Sequence, residues 1–145
     1  ADADYFGIEG EIRYTLIDTE PFSLRADIRG DYIKAELSDG TPLPRIPALN
    51  FLGALELETD DFDIRGEVQW FDSQNQVAPF ETPTDSFTFV NASIAWRPVQ
   101  DLGNITLLLQ AENIFDVEGR RHTSFTKDFV PLIGRNFKVS LRSSF

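Results

Sequence analysis

Cysteine is absent from this chain. That excludes a disulfide framework, a Cys-based zinc site and any thiol chemistry. Long apolar runs are also missing. The uninterrupted apolar stretches are a few residues long, against roughly 20 for a membrane-spanning helix. Mean hydropathy is slightly negative. A helical membrane protein is therefore excluded, whereas a β-barrel is not, because its strands alternate and average out. Basic residues are scarce, 13 against 24 acidic, for a net charge of −11. The basic footprint that a nucleic-acid partner requires is lacking. There is a single histidine. No Gly-rich phosphate loop, nucleophile elbow or His-x-x-x-His pair is found, so neither an enzyme nor a cofactor is expected.

What the chain does contain is period two. Phe137, Val139, Leu141 and Phe145 alternate with Asn136, Lys138, Ser140, Arg142 and Ser144. Successive side chains of a strand point to opposite faces, so one face is apolar and the other polar. Upstream, Ile105, Leu107, Leu109 and Ala111 oppose Thr106, Gln110 and Glu112, and Val90, Ala92, Ile94 and Trp96 oppose Asn91, Ser93 and Arg97. Phe62, Ile64, Val68 and Trp70 oppose Asp63, Arg65, Glu67 and Gln69, while Phe51, Leu55 and Leu57 oppose Glu56 and Glu58. Ala26, Ile28 and Tyr32 oppose Arg25, Asp27, Arg29 and Asp31, and Ile8, Ile12, Tyr14 and Leu16 oppose Glu9, Glu11 and Arg13. Seven strands are predicted, near 5–17, 22–37, 50–58, 61–72, 86–97, 104–115 and 134–145. No segment keeps a helical period.

The connections alternate in length. Short ones fall at Asp18 to Pro21, Thr59 to Asp61 and Pro98 to Gly103; long ones run through Ser38 to Ala48, Asp72 to Asp85 and Phe115 to Ile133. This asymmetry suits a transmembrane barrel with tight periplasmic turns and long external loops. Tyr14, Phe62, Trp96 and Phe145 fall at one end of the apolar faces and Tyr32, Phe51, Trp70 and Phe137 at the other, as two interfacial belts require. The expected fold is all-β: antiparallel up-and-down strands forming part of a transmembrane β-barrel. A soluble β-sandwich binding module alternates in the same way and also has seven strands in its common form. A porin-like or small autonomous barrel is the other alternative.

The end of the chain adds motifs. Asn113-Ile114-Phe115-Asp116 resembles the "NLFD"-type motif in the penultimate strand of TonB-dependent outer-membrane receptors. Pro131-Leu132-Ile133-Gly134-Arg135-Asn136 resembles that family's "P-x-x-G-R-N" lead into the last strand, and Leu43-Pro44-Arg45-Ile46-Pro47 resembles its "LPRIP" segment. His122-Thr123-Ser124-Phe125 with Lys127-Asp128 resembles the branch that includes zinc receptors. The resemblance implies a barrel of about 22 strands around an N-terminal plug. It also implies TonB-driven import of a siderophore, metal complex or other scarce nutrient across the outer membrane of a Gram-negative-type cell. No plug or TonB box is present in these residues. The chain is accordingly expected to be the C-terminal portion of such a receptor, with outer-membrane lipid as a partner and TonB reached through the missing part. No signal peptide opens the chain, whose first residues are Ala1-Asp2-Ala3-Asp4.

Three groups of residues are candidates for function. Phe145, with Phe137, Val139 and Leu141, fits a sorting signal read by the barrel-assembly machinery through strand addition; the simpler reading of Phe145 is an interfacial anchor. His122, with Glu118 and Asp128 near it in sequence, offers metal-ligand chemistry; the simpler reading is an exposed loop histidine. Asn113, Asp116, Gly134 and Arg135 suit strand-to-loop transitions. The charges of the polar face either line a passage or pair across strands.

Overall fold

Residues that alternate in polarity and are rich in Val, Ile, Phe, Tyr and Trp favour extended backbone, and here that preference is realised over most of the chain. The computed structural model describes residues 2–98 and 104–144. Seven strands follow one another: β1 (Ala3–Thr19), β2 (Phe22–Leu37), β3 (Asn50–Thr59), β4 (Phe62–Phe71), β5 (Phe87–Trp96), β6 (Asn104–Glu112) and β7 (Asn136–Ser144). They form one sheet in sequence order, each antiparallel to the next, with no helix among the described residues. The chain is all-β and up-and-down. Phe145 and part of the expected turn at Pro98 to Gly103 lie outside the described residues.

Some element ends differ from those read in the sequence. β6 stops at Glu112 because Asn113 turns into the left-handed region, with φ +48°. The next strand resumes only at Asn136, after the loop has closed on itself. In β1 the pairing steps from Thr15↔Arg25 to Ile17↔Leu24, leaving Leu16 as a bulge. The apolar parity therefore changes from even to odd positions, and Ile17 comes opposite Leu24 instead of falling on the charged side.

Register places like with like across the whole width. Ile12 pairs with Ile28, Leu57 with Ile64, Ile64 with Ile94, Ile94 with Leu109 and Leu109 with Val139. Among the described residues nothing covers this apolar face. Ile12 is 65 % exposed, Leu55 53 % and Val139 71 %, and among the described residues the buried hydrophobic ones are Ala35, Ala54, Ala78 and Phe87. A sandwich buries its apolar face under a second sheet, and this chain has one sheet; the β-sandwich expectation is thereby overturned. At the two ends of this face, cross-strand aromatic pairs lie in register. Phe51 stacks on Trp70 with ring centroids 6.1 Å apart, and Phe62 on Trp96 at 6.2 Å. Phe51 also leans over Gly30, where a Cβ would meet its ring at 2.6 Å, so glycine there makes room for the aromatic.

The opposite face is a laid-out ion-pair network. Asp27, 6 % exposed, accepts Nε–H of Arg13 at 2.8 Å and Nη1–H of Arg65 at 2.7 Å. Arg65 also reaches Glu56 at 3.4 Å and Glu67 at 3.3 Å, and Glu67 accepts Nδ2–H of Asn91 at 3.1 Å. Arg25 pairs with Glu58, Arg29 with Glu11 and Lys138 with Glu112. Nearer the short turns, Arg97 grips Asp63 with both terminal nitrogens (2.6 and 2.7 Å) and donates to the carbonyls of Thr59 and Asp60. The guanidinium thus fastens the β3–β4 turn as well as the strand.

Asp27→Ala is expected to destabilise the fold by about 1–3 kcal/mol, because two guanidinium groups lose their shared acceptor. Urea unfolding of the folded protein measures it, and Asp18→Ala, exposed at the turn end of β1, is expected to have little effect by comparison.

Candidate functional site

Three long loops, 38–49, 72–86 and 113–135, leave the sheet at the end opposite the short turns. Each has a defined base. Leu37 donates its N–H to Thr41 O at 2.8 Å and Leu43 to Ala35 O at 3.0 Å, continuing β2 into the first loop. Gln74 and Thr84 exchange backbone hydrogen bonds at 2.9 and 3.2 Å, which closes the second. The third is held by Asn113, only 2 % exposed. Its Oδ1 accepts Val117 N–H at 2.9 Å, and its Nδ2 donates to Val117 O at 2.9 Å and Ile133 O at 3.3 Å. Asp116 Oδ1 accepts Arg135 N–H at 2.8 Å and sits where a Cβ on Gly134 would fall, 2.8 Å away. Asn and Asp occupy left-handed backbone at low cost, with φ +48° and +57° here. The motif residues Asn113, Asp116, Gly134 and Arg135 therefore form a clasp across the loop's two ends. Asn136 adds a side-chain hydrogen bond to Glu112 at 3.4 Å, whereas Phe115 stays exposed.

The third loop folds inward over the charged face. Phe71, Phe87 and Phe89 lie on that face at the loop end of β4 and β5, with centroid separations of 4.6 Å (Phe71–Phe87) and 5.0 Å (Phe87–Phe89). Gly119 rests on them so closely that a Cβ would come within 2.6 Å of the Phe87 ring. Aromatic residues at polar parity are thus the seat for a loop. Beside this contact lies a cavity of about 420 Å³, bounded by Arg29, Asp31 and Gln69 from the sheet and by Asp72, Arg121 and His122 from the loops.

The loops meet at a buried polar node centred on Glu81, whose side chain is 9 % exposed. Its Oε1 accepts Arg45 N–H at 2.9 Å and its Oε2 accepts Ala78 N–H at 3.1 Å. Lys127 Nζ lies 3.5 Å from Oε1. His122 Nε2 is 3.3 Å from the same oxygen but off the line of a hydrogen bond, which leaves this nitrogen without one. His122 Nδ1 faces Thr84 Oγ1 at 3.0 Å and Lys127 Nζ at 3.3 Å. Burial pushes the Glu81 carboxyl up, but the two backbone donors and the charges of His122 and Lys127 outweigh it and hold it below the usual range. Burial, with the Lys127 ammonium beside the ring, pulls His122 down against the opposing pull of Glu81. The shift favours the neutral imidazole over the charged form.

His122 is therefore not the exposed loop residue of the simpler reading; it is 4 % exposed. The structure does not bring it to Glu118, which pairs with Arg120 at 2.8 Å, or directly to Asp128, which accepts Thr82 Oγ1–H at 2.5 Å. Among the described residues no three His, Cys, Asp or Glu side chains gather as a metal-binding group. An ammonium 3.3 Å from the imidazole also opposes a cation there. Glu81 carried no sequence signal of its own, since one carboxylate among 24 acidic residues looks like any other. Phe137, Val139 and Leu141 line the apolar face of β7, the edge strand, at 68–71 % exposure.

No protein-family model matches this chain. Among solved structures it is similar to a copper transporter, OprC, with a TM-score of 0.79 and 23 % identity, over 99 % of this chain and 24 % of that one. The chain thus spans about a quarter of OprC's length, and the two share the fold of the aligned segment.

Two outcomes are expected. Asn113→Ala removes three side-chain hydrogen bonds and puts alanine at positive φ, at a cost of about 2–4 kcal/mol. It is read as faster amide exchange across 113–135 with β1–β4 unchanged. Second, loop protection falls with acidification. His122 is lowered from about 6.5, so the opened loops bind its proton first as pH drops below that value; Glu81 is lowered from about 4.5, so its contribution, full above that value, is lost as pH falls further, through its lower folded-state pKa. Both act in the same direction, and amide exchange of 74–86 and 113–135 measured across that range checks the sign.

Proposed function

We propose that this sheet is a stretch of the wall of an outer-membrane β-barrel belonging to a TonB-dependent receptor, and that its three long loops lie on the outside of the cell. The apolar face meets lipid, and the charged face turns toward the aqueous interior. The observation that carries this reading is the uncovered apolar face bounded at both ends by stacked aromatics, in a sheet whose other face pairs many of its charges across strands. Side chains at the strand ends act as anchors at the headgroup level: Trp70 with Phe51 on the loop side, Trp96 with Phe62 on the turn side. Phe137, Val139 and Leu141 belong to the strand that the assembly machinery engages, and Phe145 closes the signal in sequence.

The cargo is a metal ion, a metal chelate such as a siderophore, or a comparably scarce nutrient. The motifs around Asn113, Gly134 and Pro44 support the receptor family, and the likeness to a copper transporter favours a metal. This chain has neither cysteine nor methionine, so soft thiolate and thioether ligands for copper(I) are not among its residues. What it supplies is wall, loops and a cavity near the loop bases bordered by both polar groups and the rings of Phe71 and Phe87. His122 with Glu118 and Asp128 makes a first-coordination site only if the loops rearrange and other parts of the receptor contribute ligands.

Quenching of Trp70 and Trp96 by lipids brominated along the acyl chain tests the wall. Both are expected to be quenched, more strongly by bromines near the headgroup than near the bilayer centre; fluorescence indifferent to brominated lipid overturns the assignment. Uptake of the cargo metal by cells expressing the full-length protein tests the receptor: it is expected to cease when TonB is removed, and uptake independent of TonB favours a porin-like barrel instead.

A further inference from the structure

The three long loops are tied to one another on every side. Between the first and second, Gln74 Nε2 donates to Ile46 O at 3.3 Å and Arg45 N–H to Glu81 at 2.9 Å. Between the second and third, Lys127 donates to Thr82 O, and Thr82 Oγ1–H to Asp128 at 2.5 Å. Between the first and third, the Arg45 guanidinium lies over the Phe125 ring, 3.6 Å from its centroid, a cation–π contact. Among the described residues Glu81 is the carboxylate that takes contacts from all three.

Backbone strain marks the same point. Ala78 to Glu81 is a tight turn closed by Glu81 N–H on Ala78 O at 3.0 Å. Its third residue is Phe80, with φ +69°, a position at which glycine is the usual choice. Phe80 is fully exposed, so no packing of its ring compensates the strain. What holds the turn is Glu81, reaching back to Ala78 N–H and across to Arg45. A buried carboxylate that loses a partner becomes costly, so breaking one of its contacts weakens the remainder.

The geometry points to a single coupled lid: Glu81 makes the three loops order and release together over the cavity on the charged face. Pro47 and Ala48 of the first loop, Asp72 and Thr84 of the second and His122 of the third all border that cavity. Release of any one loop then opens it to solvent, and a molecule that contacts one loop biases all three. The inference stands on contacts between the loops and is independent of what passes through the protein.

Hydrogen exchange with mass spectrometry on the full-length protein decides it. The informative variant is Lys127→Met, because the polar contacts of Lys127 lie wholly in the second and third loops. Coupling predicts that exchange rises about tenfold in residues 38–49 as well as in 74–86 and 113–135, with β2–β5 unchanged. A rise confined to 74–86 and 113–135 overturns the coupling. Thr82→Val deletes one hydroxyl, the donor to Asp128, without removing a charge, and serves as the second arm should Lys127→Met disturb the strands. It too is expected to raise exchange in 38–49, and an unaltered first loop counts against the lid.

Discussion

A one-layer sheet has two faces and nothing inside, and everything else about this molecule follows from that constraint. Strand pairing satisfies the backbone within the sheet, yet it leaves each face to find its own surroundings. Over the middle of the strands the two faces are sorted by polarity. One presents Ile12, Ile28, Leu55, Ile64, Ile94, Leu109 and Val139, and the other presents carboxylates and guanidiniums. Such a sheet is stable only between media of opposite polarity or against partners that supply them. The absence of any sizeable buried hydrophobic cluster among the described residues is a consequence of this design, and the aromatic pairs at both strand ends mark its limits.

The charged face solves a different problem. Ions on neighbouring strands stand close, and a lone one would be costly wherever water is restricted. The sheet shares acceptors: Asp27 serves Arg13 and Arg65, Arg65 in turn serves Glu56 and Glu67, and Asn91 continues the chain toward β6 by accepting Asn113 N–H at 2.9 Å. The network therefore runs across the strands, as the backbone ladder does. It delivers register information to Asn113, the residue that clasps the base of the third loop.

At the loop end the face changes character, because Phe71, Phe87 and Phe89 replace the ions. A loop that lies on aromatic rings can be seated without desolvating charges, and Gly119 permits the close approach. The buried Glu81 node above it then joins segments that are far apart in sequence. Loops carry function on a scaffold that fixes their ends. In this protein the fixing is double, by clasps at the bases and by one shared carboxylate near the tips.

Seven strands, their polarity and the division into short turns and long loops were legible in the residues, because strand periodicity is local and each strand repeats it. The motif around Asn113 and Gly134 marked a loop boundary for the same reason: left-handed backbone and tight turns select residue type directly. The bulge at Leu16 was not legible, since nothing in an apolar Leu16-Ile17 pair says which side chain stays in register. Nor were the roles of Phe71, Phe87 and Phe89 on the wrong parity, which only a loop folded back on the sheet explains. His122 looked like an exposed loop residue with carboxylates beside it, and Glu81 like one acid among many. Their burial in one node depends on three loops converging, and sequence proximity carries no record of which loops converge. Local chemistry determined the sheet; long-range contact decided what gathers above it.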